Sequence, residues 1–192
     1  MIRLFSLERI GKTNARFDRK KLLSFNKDGA AVCSEFDLLD AFKDFLRVNE
    51  YSDWLIGSDE KLARILDVCK GFRTFPDVIN KCAFLFKVDD QIQMDSQAVE
   101  TVLLKDNRRG YEMLKQILPI LESCENWTEV ESLENILTQR LSPLGYQIND
   151  IAQPIRVAIT GTTISPSIGD SLALLGKKST LNRIRRALTM VP

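Results

Sequence analysis

The sequence predicts an all-α protein of roughly ten helices, arranged as a helical hairpin followed by two packed helical bundles. Three observations favour this fold class. Apolar residues recur at helical spacing through most of the 192 residues. Residues typical of helix starts precede these stretches, and no two segments show a convincing pairing of alternating strands. Only residues 84–88 and 91–94 are candidates for short extended segments.

Several helix starts can be placed from their capping residues. Residues 34–37 form an S-x-x-D box and residues 128–131 a T-x-x-E box, each before an apolar stretch. Thr74 and Pro76 indicate another start, because proline is well placed in the first turn of a helix. Ser179 is the expected cap of the last helix.

Breaks in the helical pattern near residues 48–58 and 88–96 divide the chain into three parts. We expect a basic helical hairpin over residues 1–50, a small bundle over 51–95 and a larger bundle over 96–192. No stretch has the roughly 18 to 20 apolar residues that a membrane span needs. The amino terminus does not have the pattern of a signal peptide, so a cytoplasmic location is expected.

The residue types restrict the chemistry that this chain can perform. Histidine is absent, which removes the most versatile acid–base group and every Ser-His or Cys-His arrangement. No P-loop, dinucleotide fingerprint or nucleophile elbow is present. The four cysteines are widely spaced, so buried thiols in a reduced compartment are expected rather than a metal site. They are Cys33, Cys69, Cys82 and Cys124.

The net charge is only +1, but the charges are unevenly distributed. Residues 1–27 contain eight Lys and Arg against two acids, and residues 151–192 contain six against one. The middle of the chain is strongly acidic. This pattern suits a protein that touches a polyanion at chosen places, although solvated helix faces would produce the same pattern.

Three stretches are candidates for binding. The first contains Arg16, Arg19 and Lys20, which could contact phosphates or could lie on a solvated helix start. In the second, residues 152–170, two helices meet across a tight loop, where hydroxyls and free N–H groups at the second helix start would favour a phosphate or a base edge. An ordinary helical corner is the alternative. The third is the basic helix over residues 177–186, for which surface solvation is the alternative.

The second stretch resembles the carboxyl-terminal signature of bacterial-type glutamyl-tRNA synthetases. The resemblance rests on the motif AQPIR at residues 152–156, on Thr160-Gly161 and Ser165-Pro166, and on LALLGK at residues 172–177. Residues 5–10 (FSLERI) and 15–18 (ARFD) are similar to the segment that follows the family's catalytic lysine loop. The two blocks occur in the family's order, so the resemblance spans nearly the whole chain.

The resemblance implies a class I aminoacyl-tRNA synthetase, whose Rossmann domain uses ATP and Mg²⁺ to join glutamate to tRNA. That domain's His-Ile-Gly-His signature and Lys-Met-Ser-Lys-Ser loop do not occur in this sequence. What remains matches the end of the stem-contact domain and the two helical anticodon-binding domains. We therefore expect no cofactor and no aminoacylation activity in this chain alone.

The resemblance also implies which residues contact tRNA. Arg156, Ser165, Pro166 and Ile168 would face the anticodon bases, since arginine offers a planar fork of donors to base edges. In the smaller bundle, the position of the family's basic residue aligns with Gly71, and its neighbours Lys70 and Arg73 are the expected substitutes. The backbone of the tRNA would be contacted by Arg16, Arg19 and Lys20.

The sequence therefore predicts a non-catalytic part of a glutamate–tRNA ligase that recognises the anticodon of tRNA(Glu). The expected partners are tRNA(Glu) and tRNA(Gln), with no membrane, and the expected oligomeric state is a monomer. The alternative is a helical protein-interaction module derived from a synthetase.

Overall fold

The computed structural model describes residues 18–190, which fold into helices joined by short loops, with no β-strand in that range. The all-α prediction is confirmed. The α-helical segments of residues 18–190 are α1 (Arg19–Val32), α2 (Glu35–Val48), α3 (Ser52–Leu55), α4 (Asp59–Val68), α5 (Phe75–Cys82), α6 (Ser96–Ala98), α7 (Lys105–Ser123), α8 (Val130–Leu141), α9 (Ile148–Thr160), α10 (Ile168–Leu175) and α11 (Lys177–Met190). Within residues 18–190 there are also three short 3-10 turns (Ala83–Phe86, Asp89–Gln91 and Ser142–Leu144) and one π-helical turn (Val99–Leu104).

The first two helices differ in how they are held. No side chain of α1 is buried, and Phe25 is 60% exposed. In α2, by contrast, Phe42 and Leu46 are fully buried. The predicted box at residues 34–37 is confirmed, because the Ser34 hydroxyl accepts from the Asp37 N–H. The hairpin is therefore attached to the rest of the molecule chiefly through α2.

Aromatic rings connect α2 to the smaller bundle. The Phe42 ring lies 5.1 Å from the Phe75 ring and 6.1 Å from the Trp54 ring, and Trp54 stacks on Phe86 at 4.1 Å. Close ring pairs of this kind contribute beyond their buried area. The rings of α2 therefore pack across residue 50, and the division of the chain at residues 50 and 95 stays a prediction.

The larger bundle is built around α7, which packs against α8, α9 and α11. Its core consists mainly of leucine and isoleucine side chains, among them Leu114, Ile117, Leu133 and Ile155. The Tyr111 hydroxyl donates to the Leu188 carbonyl at 2.7 Å and so joins α7 to α11. This bundle provides the rigid frame on which α9 and α10 are positioned.

Two local predictions are wrong, the first only in part. Residues 84–86 lie in a 3-10 turn, whereas Lys87, Val88 and Ile92 have the expected extended backbone, although no β-strand forms within residues 18–190. Arginine side chains bind carbonyl groups of this region. The predicted box at residues 128–131 does not cap a helix either. The Thr128 hydroxyl donates to Asn126 Oδ1, and α8 begins one residue later, with Glu129 at the N-cap. The sequence pattern located the helix but not the hydrogen bond that starts it.

Other helix starts agree with the sequence to within three residues. Thr74 caps α5 with Asp77 in a reciprocal box, and Pro76 lies in its first turn, as predicted. The last helix begins at Lys177 rather than after Ser179.

Candidate nucleic-acid interface

The turn between α9 and α10 is the site that the sequence singled out, and we call residues 152–170 the α9–α10 corner. Gly161 ends α9 with a φ of 80°, a left-handed conformation that glycine adopts without strain. A Cβ at this position would lie 2.0 Å from the Gln93 carbonyl oxygen. Glycine is therefore required both by the backbone conformation and by the close approach of residues 92–95.

Arg156 lies half-buried in the α9–α10 corner, with its guanidinium oriented by the loop. Its Nε donates to Ser165 Oγ at 2.9 Å, and its Nη2 donates to the Pro166 carbonyl at 3.4 Å. The Ser165 hydroxyl in turn donates to the Pro166 carbonyl at 2.8 Å. These contacts fix the plane of the guanidinium before any ligand arrives.

The same guanidinium retains unused binding capacity. A guanidinium has five N–H donors, and only two of those of Arg156 bind protein atoms within residues 18–190. In this part of the chain no carboxylate lies within ion-pair distance of it. Burial lowers the pKa of Arg156 because removing water disfavours the charged form. Arginine nevertheless stays positive at neutral pH, so the site offers an oriented and unneutralised fork of donors.

Two other predicted residues of the α9–α10 corner are less exposed than Arg156. Pro166 and Ile168 are buried, and Ile168 is only 3% exposed. They can contribute to a ligand contact by shaping the loop, but not through an open side chain. The exposed part of the loop is formed by Thr162, Thr163 and Ile164, the last 57% exposed. Sequence reasoning did not select these three residues, because no motif marks them.

The start of α10 is not an open anion site, and the expectation of free N–H groups there is wrong. The Glu134 carboxylate accepts from the Gly169 N–H at 3.1 Å, and the Ser167 hydroxyl accepts from the Asp170 N–H. A carboxylate is well placed at a helix start because it satisfies a free donor and complements the dipole. The negative group that this helix start favours is thus supplied by the chain itself.

Lys70 and Arg73 lie in the turn between α4 and α5, and both are exposed. Lys70 forms an ion pair with Asp67, whose hydrogen bond and charge raise the pKa of Lys70. Between the two cations, Gly71 has a φ of 86°, so the turn relies on glycine at this position. Within residues 18–190, neither cation shares a hydrogen-bond partner with Arg156.

The basic residues of the first stretch are placed at the start of α1. Arg19 and Lys20 are exposed in its first turn, and Arg16 lies outside the described residues. A helix start favours negative rather than positive side chains. The stability of α1 therefore does not explain these cations, and they remain available to an external anion.

The basic helix α11 uses several of its cations inside the molecule. Arg183 is 2% exposed and donates to Asp89 and to the carbonyl groups of Phe84, Lys87 and Ile159. The interpretation of this helix as a solvated face is therefore wrong for Arg183. No sequence signal distinguishes it from its exposed neighbour Arg185.

Over residues 18–190 we find no cluster of three or more side chains able to hold a metal ion. None of the helices in that range is both long and apolar enough to cross a membrane.

Comparison with known proteins places this geometry in a family. The family model described as an anticodon binding domain matches residues 37–188. The chain is 29% identical over 190 residues to a glutamate–tRNA ligase of Thermodesulfovibrio yellowstonii, covering 98% of this chain and 40% of the relative. It is 32% identical over 189 residues to the corresponding ligase of Thermus thermophilus, covering 97% and 38%. The chain thus spans about two fifths of the length of these relatives.

Solved structures show the same fold. A glutamate–tRNA ligase from Elizabethkingia meningosepticum, solved in complex with its amino acid, superposes with a TM-score of 0.78 at 22% identity, covering 98% of this chain and 36% of that one. A glutamate–tRNA synthetase from Elizabethkingia anophelis gives a TM-score of 0.74 at 22% identity, with 96% and 34% covered. Together with the match over most of the sequence, these findings establish that the chain belongs to the anticodon binding domain family.

Proposed function

We propose that this chain binds the anticodon arm of tRNA(Glu), as the anticodon-recognising part of a cytoplasmic glutamate–tRNA ligase. The proposal rests on family membership and on one geometric observation. Arg156 is held in a fixed plane by Ser165 and Pro166, while three of its five donors have no partner within residues 18–190. A guanidinium in that state is suited to the edge of an unpaired base, which accepts hydrogen bonds in the plane of the ring.

The surroundings of Arg156 support recognition of a single-stranded loop. The exposed Thr162 and Thr163 offer hydroxyl groups, and Ile164 offers an apolar surface on which a splayed base could rest. Arg19, Lys20, Lys70 and Arg73 add exposed positive charge for phosphates. We expect phosphate contacts to provide affinity and Arg156 to provide discrimination. We also expect one tRNA to bind one monomeric chain, with tRNA(Gln) as the closest competitor.

The first test is a binding titration of labelled transcripts: tRNA(Glu), tRNA(Gln), an unrelated tRNA, and tRNA(Glu) with an altered anticodon. Neutralising about three to five phosphates predicts a log–log salt slope of roughly −2 to −5. Affinity should be highest for tRNA(Glu) and lower for the altered anticodon. A flat salt response without preference for tRNA(Glu) would contradict the proposal and favour a protein-interaction module.

The second test concerns the site itself. Arg156→Ala should weaken binding of tRNA(Glu) by about 1–3 kcal/mol and should abolish the preference for its anticodon. Arg140→Ala removes the same charge from an exposed position on α8 and serves as the matched control. Lys20→Ala should instead weaken binding of all four transcripts equally and reduce the salt slope by about one. If Arg156→Ala binds as tightly as the parent while its circular dichroism is unchanged, the site assignment fails.

A further inference from the structure

Helices α4 and α5 of the smaller bundle bring two cysteine side chains together in its interior. Cys69 follows the last turn of α4 and Cys82 ends α5. Their sulfur atoms lie 3.5 Å apart, and the side chains are 1% and 0% exposed. They are separated by 13 positions in the chain. The sequence predicted unrelated buried thiols, and only the packing of α4 on α5 makes them neighbours.

The other cysteines have different environments. Cys33 is exposed, while the buried Cys124 donates its thiol to the Asn126 carbonyl. In the close pair, the Cys82 thiol is hydrogen-bonded to Cys69. The hydrogen bond between the two sulfurs lowers the pKa of Cys69 and raises that of Cys82, and burial adds to the rise at Cys82. Cys69 is therefore the better nucleophile of the two.

We propose that Cys69 and Cys82 are a modification site at which an intramolecular disulfide forms and links α4 to α5. A disulfide has a sulfur–sulfur distance of about 2.05 Å, so the two atoms need to approach by only about 1.5 Å in total. The bond closes a loop that contains the exposed turn with Lys70 and Arg73. The proposal stands independently of whether that turn contacts tRNA.

The oxidant would be a low-molecular-weight disulfide such as oxidised glutathione. The Cys69 thiolate attacks one sulfur of the oxidant and releases one glutathione thiolate, which takes up a proton. Cys82 then loses its proton and attacks the Cys69 sulfur of the mixed disulfide, releasing the second glutathione. The protein loses two hydrogen atoms and two electrons, and one oxidised glutathione becomes two reduced molecules. Because both sulfurs are buried, the first attack requires a local opening of the turn after α4.

The test uses the full chain with Cys33→Ser, so that the exposed thiol cannot form mixed or intermolecular disulfides. The protein is equilibrated in glutathione buffers of increasing oxidised fraction and then digested with trypsin under non-reducing conditions. Cleavage after Arg64, Lys70, Lys81 and Lys87 separates the two cysteines into peptides 65–70 and 82–87. We expect these two peptides to be joined, with the intact protein lighter by two hydrogen atoms.

Thermal unfolding provides the second readout, because a native disulfide stabilises by constraining the unfolded chain. The oxidised protein should have a Tm higher by about 5–10 °C, and a reductant should reverse the shift. In the same background, Cys69→Ala and Cys82→Ala should show neither the joined peptides nor the shift.

Three outcomes would overturn the proposal. They are peptides that join only after the circular dichroism of the fold is lost, stable glutathione adducts on Cys69 and Cys82 in place of an internal bond, and a bond to Cys124. The first is recognised by recording circular dichroism and the peptide map at each buffer, and the other two by the peptide map, all on the Cys33→Ser protein alone. The decision therefore does not depend on the alanine variants folding.

Discussion

Arg156 and Arg183 belong to packed neighbouring helices of the larger bundle, yet their environments differ. Arg183 is 2% exposed, and four hydrogen bonds link its side chain to Asp89 and to the carbonyl groups of Phe84, Lys87 and Ile159. Arg156 is half-buried and, among residues 18–190, donates only to Ser165 and the Pro166 carbonyl. The comparison shows that an arginine stabilises the fold when groups of the chain accept hydrogen bonds from its N–H donors. It is a candidate binding group when the chain orients it but leaves donors free.

Two sets of hydrogen bonds connect the surroundings of the two arginines. Arg183 donates directly to the Ile159 carbonyl of α9, the helix that carries Arg156, and a second connection runs through residues 92–95. Arg186, one turn of α11 after Arg183, donates to the Ile92 carbonyl at 2.6 Å. The Asp95 N–H donates to the Gly161 carbonyl at 2.8 Å, immediately after the helix that carries Arg156. Residues 92–95 are thus hydrogen-bonded both to α11, one turn after Arg183, and to the α9–α10 corner. The α9–α10 corner is therefore positioned by hydrogen bonds that involve Arg183, Arg186 and residues 92–95.

The largest expected effect comes from removing the buried side chain of Arg183. Arg183→Ala leaves Asp89 and three carbonyl groups without their partner, and should lower the free energy of unfolding by about 3–5 kcal/mol. Arg185→Ala is the matched control on the same helix, because it breaks an exposed ion pair with Glu122 and should cost less than about 1 kcal/mol. Urea denaturation measures both. Arg156→Ala should resemble the control, and a loss as large as that of Arg183→Ala would erase the distinction between the two arginines.

The next effect tests the connection between the two regions. Gly161→Ala forces alanine into a left-handed conformation and places its Cβ 2.0 Å from the Gln93 carbonyl oxygen. The expected loss of stability is about 2–4 kcal/mol. Gly145→Ala provides the control, because its φ of 83° is similar but no atom lies within 4 Å of the added Cβ. That variant should cost only about 1–2 kcal/mol. Equal losses in thermal or urea unfolding would show that the close approach to residues 92–95 is unimportant.

The smallest effect concerns the start of α10. Glu134→Gln keeps a side-chain oxygen near the Gly169 N–H but removes the negative charge at the helix start. The free energy of unfolding should fall by about 0.3–1 kcal/mol. Glu125→Gln, at an exposed loop position, should leave it unchanged within about 0.5 kcal/mol. If Glu134→Gln proves neutral in urea unfolding, the carboxylate does not serve as the anion at this helix start.

The all-α class and the approximate position of nearly every helix could be predicted without the structure. The sequence also located the α9–α10 corner, because glycine, proline and capping residues act through local backbone geometry. For that reason Ser34 and Thr74 could be predicted as helix starts and Gly161 as the end of a helix. The resemblance to glutamyl-tRNA synthetases likewise came from residues that lie close together in the chain.

Which polar groups already have a hydrogen-bond partner within the chain depends on how the helices pack. The partners of Arg183 lie up to 99 positions away, and the carboxylate that caps α10 comes from a residue 35 positions earlier. Pro166 and Ile168 follow Arg156 closely in the motif, yet packing buries them. The contact between Cys69 and Cys82 depends on the angle at which α4 meets α5. Such contacts are set by helix packing, and helical periodicity carries no information about the partner of a given polar side chain.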